Sequence, residues 1–294
     1  AALSARSWAQ VAGANGDIRV AVVGLNGRGR NHLRSLSEVK GVRVVALCDI
    51  DTTVLARAKA SFASEGTEVK TYVDLRELVA SGDIDAVTIA SPNHQHSLQA
   101  VWACQAGKDV YVEKPVSHNV WEGRQLVAAA AKYNRVVQVG THRRVSPHNL
   151  SAHKFLKDGK AGKIGMVRAF VHYGGGPGRL TPDTEVPAGL DWDMWCGPAP
   201  LRPYNKTMHP KGFRGYLDYA NGTLGDWGIH WMDQILMWTE EKFPKRVFST
   251  GGRHIRRANS DAPDTQVASF EFESFTAVWE HRQYAANRAE KTHP

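Results

Sequence analysis

Three residues have the types and surroundings of proton-handling groups. Asp226 and His230 stand four apart in Gly222-Thr223-Leu224-Gly225-Asp226-Trp227-Gly228-Ile229-His230-Trp231-Met232-Asp233. On one helix, Asp226, His230 and Asp233 share a face. A carboxylate beside an imidazole orients it and raises its basicity, which suits a base that takes an alcohol proton as hydride leaves. A solvated salt-bridge pair is the competing reading, and the apolar neighbours disfavour it. The third residue, Lys114, ends Asp109-Val110-Tyr111-Val112-Glu113-Lys114-Pro115. That run reads as a buried parallel strand, and Pro115 keeps Lys114 out of helical geometry. Ligands of open α/β sheets bind at the carboxyl ends of the strands, so an ammonium there is placed to meet one. Taken alone, Lys114 reads first as a surface lysine after a strand, and it is the rest of the chain that turns the reading toward a ligand.

The elements that must position these groups begin at Asp17. Ile18–Val23 reads as a buried strand and runs into Gly24-Leu25-Asn26-Gly27-Arg28-Gly29, ahead of a helix. Strand, glycine turn and helix in that order form a dinucleotide-binding arrangement, with the pyrophosphate at the helix N-terminus. Gly24 and Gly29 match G-x-G-x-x-G, while Asn26 holds the middle glycine's place and Gly27 loosens the turn beside it. A second strand, Val42 to Asp49, ends in an acid at the spacing for ribose hydroxyls. Asp49 favours NAD over NADP; Asp51 is its rival for the role, and Arg28 or Arg30 leaves NADP open. Helices over about 53–64 and 74–80 and an edge strand over 69–72 precede the strand Ala86–Ala90. That strand ends in Ser91-Pro92-Asn93-His94-Gln95-His96, where Pro92 and Asn93 are expected to touch the cofactor and His96 to begin a helix. His94 and His96 are two apart, do not converge on a helix, and have no Cys or acid cluster beside them, so no metal is expected. A helix over 120–133 and the strand Val136–Gly140 complete the alternation and lead into Thr141-His142-Arg143-Arg144.

After this the pattern changes. A helix over 151–157 and a strand over 166–173 are followed by a Gly/Pro-rich loop from Gly174 to Pro200, a length that is usually functional or disordered. The loop carries Asp191-Trp192-Asp193-Met194-Trp195, whose tryptophans, with Trp227 and Trp231, suit either stacking on sugar faces or core packing. Strands over 266–272 and 275–281 precede a polar tail. Of the 294 residues 42% are hydrophobic, which excludes a disordered chain. No apolar run reaches the roughly 20 residues of a membrane span. The net charge of +8 is scattered apart from Arg253-His254-Ile255-Arg256-Arg257, and no nucleic-acid recognition motif accompanies it. Three cysteines make no disulfide framework. Residues 1–16 read as a leader or the remnant of an export signal, with Ser7-Trp8-Ala9 resembling a peptidase site and Arg6 counting against it. Localisation therefore stays open between export and the cytoplasm.

With the glycine turn, Ser-Pro-Asn, Glu-Lys-Pro and Asp-x-x-x-His in this order, the chain resembles the glucose-fructose oxidoreductase/inositol dehydrogenase/MocA family from about Ile18 onward. The resemblance implies an α/β protein with an N-terminal Rossmann domain (17–145). It implies a second α/β domain (146–294) on an open mixed, largely antiparallel sheet that forms homo-oligomer contacts. It implies a sugar, amino sugar or cyclitol substrate. By that analogy His230 takes the hydroxyl proton, Asp226 orients it and Lys114 polarises the oxygen, with the base left open between Lys114 and His230. Cofactor candidates are Gly24, Asn26, Gly27, Arg28, Gly29, Asp49, Ser91, Pro92, Asn93, His96, Glu113 and Lys114. Substrate candidates are Arg143, Tyr173, Trp192, Arg214, Asp226 and His230. Asn26 and His142 depart from the commonest pattern, and the C-terminal domain is shorter than expected of the family. Three functions follow: an NAD(P)-dependent dehydrogenase, a glycosidase cycling a bound NAD without net redox change, and a non-catalytic sugar or nucleotide binder.

Overall fold

The computed structural model describes residues 16–286, so the expected leader and the end of the tail lie outside the described residues. The described chain divides into two compact units, one running to Gly140 and including Glu185–Arg202, the other made of Thr141–Thr184 and the chain from Pro203. The expected boundary puts the whole loop after Gly174 in the second domain. The structure gives Glu185–Arg202 to the first, because its backbone bonds are made there. Thr52 N–H donates to Gly189 O at 2.8 Å and Asp191 N–H to Ile50 O at 3.2 Å.

The first unit is built on a six-stranded parallel sheet, β1 (Ile18–Val23), β2 (Val42–Cys48), β3 (Lys70–Tyr72), β4 (Ala86–Ile89), β5 (Asp109–Val112) and β6 (Val137–Val139), in the order β3-β2-β1-β4-β5-β6. Strand order reverses between β1 and β4, which opens a crevice at their carboxyl ends. The helices are α1 (Arg28–Ser37), α2 (Thr52–Ser64), α3 (Leu75–Ala80), α4 (His96–Gln105) and α5 (Val120–Lys132). Because alternate residues of a strand point to opposite faces, Ala21 and Val23 pack in one cluster with Leu78, Ala100 and Leu126, while Val22 packs with Leu47 and Leu55. Burial on both faces is what the continuous apolar runs of β1, β2 and β4 encode. Asp51, Asp74 and Asn119 cap α2, α3 and α5 by accepting N–H bonds.

The second unit is built on a four-stranded mixed sheet. Its strands are β7 (Met166–His172), β8 (Arg246–Gly252), β9 (Thr265–Glu271) and β10 (Thr276–Arg282), in the order β7-β10-β9-β8. β10 pairs parallel with β7, and the other two pairings are antiparallel. β10 alternates, burying Ala277, Trp279 and His281. α6 (Pro147–Lys157) starts four residues earlier than its apolar pattern suggests, with Pro147 in its first turn. α7 (Trp192–Cys196) lies in the segment given to the first unit, and α8 (Ile229–Thr239) returns to the second, where Ile235 packs on Phe272 and Phe275. β8 was not expected from the sequence: six of its seven residues are exposed, so no in-out period marks it. Among the described residues no helix is long and apolar enough to cross a membrane.

Trp279 is fully buried among Ala169, Ala268, Leu224 and Trp227 and donates its indole N–H to His281 Nδ1 at 3.2 Å. Trp279→Ala should cost about 3–5 kcal/mol of stability, read as a lower denaturation midpoint in urea with an unchanged slope.

Candidate active site

The first unit's crevice is formed by two backbones in near contact. Gly24, at φ +78, lies so close to the end of β4 that a Cβ would meet Ser91 N at 2.7 Å and Ala90 O at 2.8 Å. A Cβ on Gly29 would fall 1.8 Å from Gly24 O. Side chains are thus excluded where α1 begins, and the opening amides of α1 have no side-chain cap at Gly27. Unpartnered N–H groups at a helix start attract anionic oxygens. Asn26 is turned to Arg30, accepting from Nη2 at 3.2 Å.

Asp49 sits where β2 delivers it. Oδ2 accepts Leu25 N–H at 2.7 Å and Oδ1 accepts Asp51 N–H at 3.0 Å, which fixes the carboxylate beside the glycine turn. Burial raises its pKa above the usual carboxylate range despite those two bonds. Each oxygen keeps a second lone pair for a hydroxyl. Asp51, the rival acid, is occupied as the α2 cap through Thr53 and Val54 N–H.

At the end of β4, Ser91 Oγ donates to Gln99 Oε1 at 2.6 Å and Pro92 precedes a single helical turn, Asn93–Gln95. Asn93 is 3% exposed, and its amide nitrogen has no hydrogen-bond partner among the described residues. A buried donor without an acceptor costs about 1–3 kcal/mol, so a polar ligand is the partner the position calls for. His96 does begin α4, but both its ring nitrogens lie 2.7 Å from carbonyl oxygens, of Ser91 and Pro115. It ties two strand ends together, and its ring atoms are taken up by backbone.

Glu113 also turns out to be an anchor. It is 6% exposed, and Oε1 accepts from Arg28 Nε at 2.8 Å and meets His32 Nε2 at 2.9 Å. Burial alone would raise its pKa, but the bonds from His32 and Arg28 win and hold it at about 2. Arg28 therefore meets a carboxylate of its own chain at the position where the sequence suggested a phosphate. His32 was not foreseen: its partner is 81 residues away, and a single helical histidine gives no signal of that pairing. Lys114, next to Glu113, belongs to the first unit.

The second unit places Asp226 and His230 on different elements. Leu224–Gly228 is a π-helical turn and His230 lies in the α-helix that follows, so the single three-residue face expected from α spacing is broken up. Asp226 meets Arg214 Nε at 3.0 Å. Asp233 is bound by Arg144 at 2.7 Å. His230 lies edge-on to His142, 5.1 Å between ring centres, and 6.2 Å from Trp227. Such π turns cluster at functional sites.

A cavity of about 620 Å³ opens in this unit, lined in part by Tyr173, Arg214, Asp226 and Trp227. It brings together three of the expected substrate residues, Tyr173, Arg214 and Asp226. Burial, then the Asp226 charge, raises the Tyr173 phenol pKa. Arg143 lies elsewhere, stacked over Trp231 at 4.3 Å and donating to Gln234 at 3.0 Å, with its pKa lowered by burial. Trp192 is in the first unit: buried, stacked on Trp195 at 4.5 Å, its indole N–H donated to Arg202 O at 2.6 Å. Core packing, not an open sugar-stacking face, accounts for it. Among the described residues no three His, Cys, Asp or Glu side chains group to hold a metal.

The sequence matches two models of one family. Residues 18–141 match the oxidoreductase family NAD-binding Rossmann fold, and 163–288 match its C-terminal α/β domain. The chain belongs to the Gfo/Idh/MocA oxidoreductase family. It is 37% identical over 157 residues to inositol 2-dehydrogenase 1 of Saccharopolyspora erythraea, covering 53% of this chain and 45% of that protein. It is 31% identical over 175 residues to the inositol 2-dehydrogenase of Salmonella typhimurium, covering 59% and 50%. The chain thus spans about half the length of these curated relatives. In fold it resembles myo-inositol 2-dehydrogenase from Lactobacillus plantarum, with a TM-score of 0.68 and 23% identity over 92% of this chain and 70% of that one. It also resembles the WlbA dehydrogenase from Bordetella pertussis, solved with NADH and UDP-GlcNAcA, with a TM-score of 0.72 and 20% identity over 92% and 72%.

Because the Glu113 carboxyl titrates lower in the folded chain than its ordinary 4.5, its stabilisation is complete above that value and is lost as pH falls toward 2. Glu113→Gln should cost on the order of 3 kcal/mol at pH 7 and progressively less on acidification. Denaturant midpoints of both proteins at pH 7 and pH 3 measure this.

Proposed function

We propose that the chain is an NAD(P)-dependent oxidoreductase that moves a hydride between a nicotinamide and a hydroxyl-bearing carbon of a sugar, amino sugar or cyclitol. The observation that carries the reading is the first unit's crevice, where an uncapped helix start, the oriented Asp49 carboxylate and the unpartnered Asn93 amide meet a nucleotide's needs. The residues present fit NAD. The turn at Gly24–Gly29 would hold the pyrophosphate, Asp49 the ribose hydroxyls and Asn93 a polar group of the cofactor. Asp49, as an acceptor and a buried acid, disfavours a 2′-phosphate. When bound, the nicotinamide supplies a hydride acceptor.

On the substrate side, His230 receives the hydroxyl proton, Lys114 stabilises the oxygen as it becomes a carbonyl, and Asp226, the acid of the pair, acts from the cavity wall, where Arg214 holds it at 3.0 Å. A homo-oligomer contact belongs to the same proposal. Val247 and Phe248 are 57% and 69% exposed on edge strand β8, an apolar edge that a second copy would cover.

The decisive experiment identifies the nucleotide released from purified protein and follows absorbance at 340 nm over free sugars, cyclitols and aryl glycosides. Net NADH formation on a free polyol is expected. Aglycone release without net NADH would instead make the chain a redox-neutral glycosidase. Lys114→Ala should lower turnover by roughly 10²–10⁴ with cofactor affinity little changed, measured by cofactor titration beside steady-state rates. Asp49→Ala should erode the preference for NAD, seen in the ratio of kcat/KM for the two cofactors.

A further inference from the structure

The 620 Å³ cavity has an uneven charge. Its wall holds four cations, Arg179, Lys206, Arg214 and Arg256, against one acid, Asp226. Arg214 and Asp226 compensate each other at 3.0 Å. Among the described residues no carboxylate ion-pairs with the other three. A neutral polyol needs hydrogen-bond partners and gains nothing from the charge of three cations without acid partners.

The fold also fixes one of these cations in place. Asp264 is 1% exposed and accepts the backbone N–H groups of His254 at 3.1 Å, Ile255 at 2.9 Å and Arg256 at 2.6 Å, with Thr265 Oγ1 at 2.8 Å. Burial works against its ionisation, yet these bonds hold the carboxyl at about 2. The Asp264 carboxylate is thus consumed by the backbone that presents Arg256. The Arg256 guanidinium has a neutral side-chain partner, donating Nη1–H to Gln283 Oε1 at 3.0 Å, and its buried Nε–H has none. Guanidinium is the cation suited to two-pronged recognition of carboxylate or phosphate. Around it, Thr207, Asn259 and Ser260 offer polar groups, and Tyr173 and Trp227 offer ring faces.

We propose that the second unit's cavity takes an acidic sugar, one bearing a carboxylate or a phosphate, with Arg256 as the principal anion contact and Arg179 and Lys206 as supporting charge. The proposal rests on the reading of the chain as a sugar oxidoreductase and narrows its substrate. Asp264 is a positioning residue acting through the 254–256 backbone.

The test is calorimetric binding to the NAD-loaded protein of matched sets: glucose, glucuronate and glucose 6-phosphate, with the galactose and mannose counterparts, at two salt concentrations and with NADH formation followed in parallel. In at least one set an acidic member should bind about tenfold or more tighter than the neutral one, and the advantage should shrink with salt. A preference for uronates assigns the carboxylate, and one for sugar phosphates the phosphate. Arg256→Gln should remove most of the advantage. Lys206→Gln, on the surface and safe for folding, should reduce it several-fold. Equal or absent binding of acidic and neutral members throughout overturns the proposal. Selective acid binding with no NADH would uphold the cavity's assignment and sink the dehydrogenase reading; NADH formed equally well from neutral sugars would do the reverse.

Discussion

The near contact of Gly24, Gly29 and the Ala90–Ser91 backbone is the constraint on which the first unit depends. Only hydrogen-sized side chains let α1 begin so close above the β1/β4 boundary, and that closeness places amides, Asp49 and Asn93 around one crevice. An anchor just past the end of β5 holds the helix there. Glu113 bonds Arg28 and His32 of α1, so the helix that would receive a pyrophosphate is held by a buried carboxylate rather than by a side-chain cap. An anion at that helix start then meets amides that no side chain caps.

In the second unit the organising interactions are again carboxylates spent on positioning. Asp264 holds a loop by its backbone, and Asp233 holds Arg144. What this leaves exposed to the cavity is mostly positive charge, with Asp226 the exception. The π turn at Leu224–Gly228 sets Asp226 on the cavity wall just before α8 starts and carries His230 onward. One change of helical pitch separates a residue that lines the cavity from one that packs beside His142 and Trp227.

Much of this was legible in the chain itself. Strands β1, β2, β4 and β5 announce themselves as apolar runs stopped by glycine, acid or proline, because burial on both faces leaves a continuous signature. The glycine turn and Asp49 are readable for the same reason, as backbone geometry and spacing are local. What escaped is tertiary. The roles of Glu113 and His96 as anchors depend on partners far off in sequence or on carbonyls without side-chain identity. Trp192 gave no hint that Trp195 would cover its face. β8 escaped because exposure removes the alternation by which a strand is recognised, and the cationic wall escaped because Arg179, Lys206, Arg214 and Arg256 are scattered through three connections of the chain.

The path of the chain through its two units carries a further consequence. The first unit is discontinuous: Gln95 Nε2 donates to the carbonyls of Met194 and Trp195, about a hundred residues downstream. The second is no simpler, since β7 finds its partner only in β10. During synthesis neither unit has its full set of contacts when its first strands leave the ribosome, and β7 emerges with both edges unpaired. The first unit can close only once Arg202 has emerged, with the opening stretch of the second unit already made. An arrest before Arg202 leaves the first unit without its returning segment, and one before β10 leaves β7 without its strand partner, an exposed edge open to pairing with another chain.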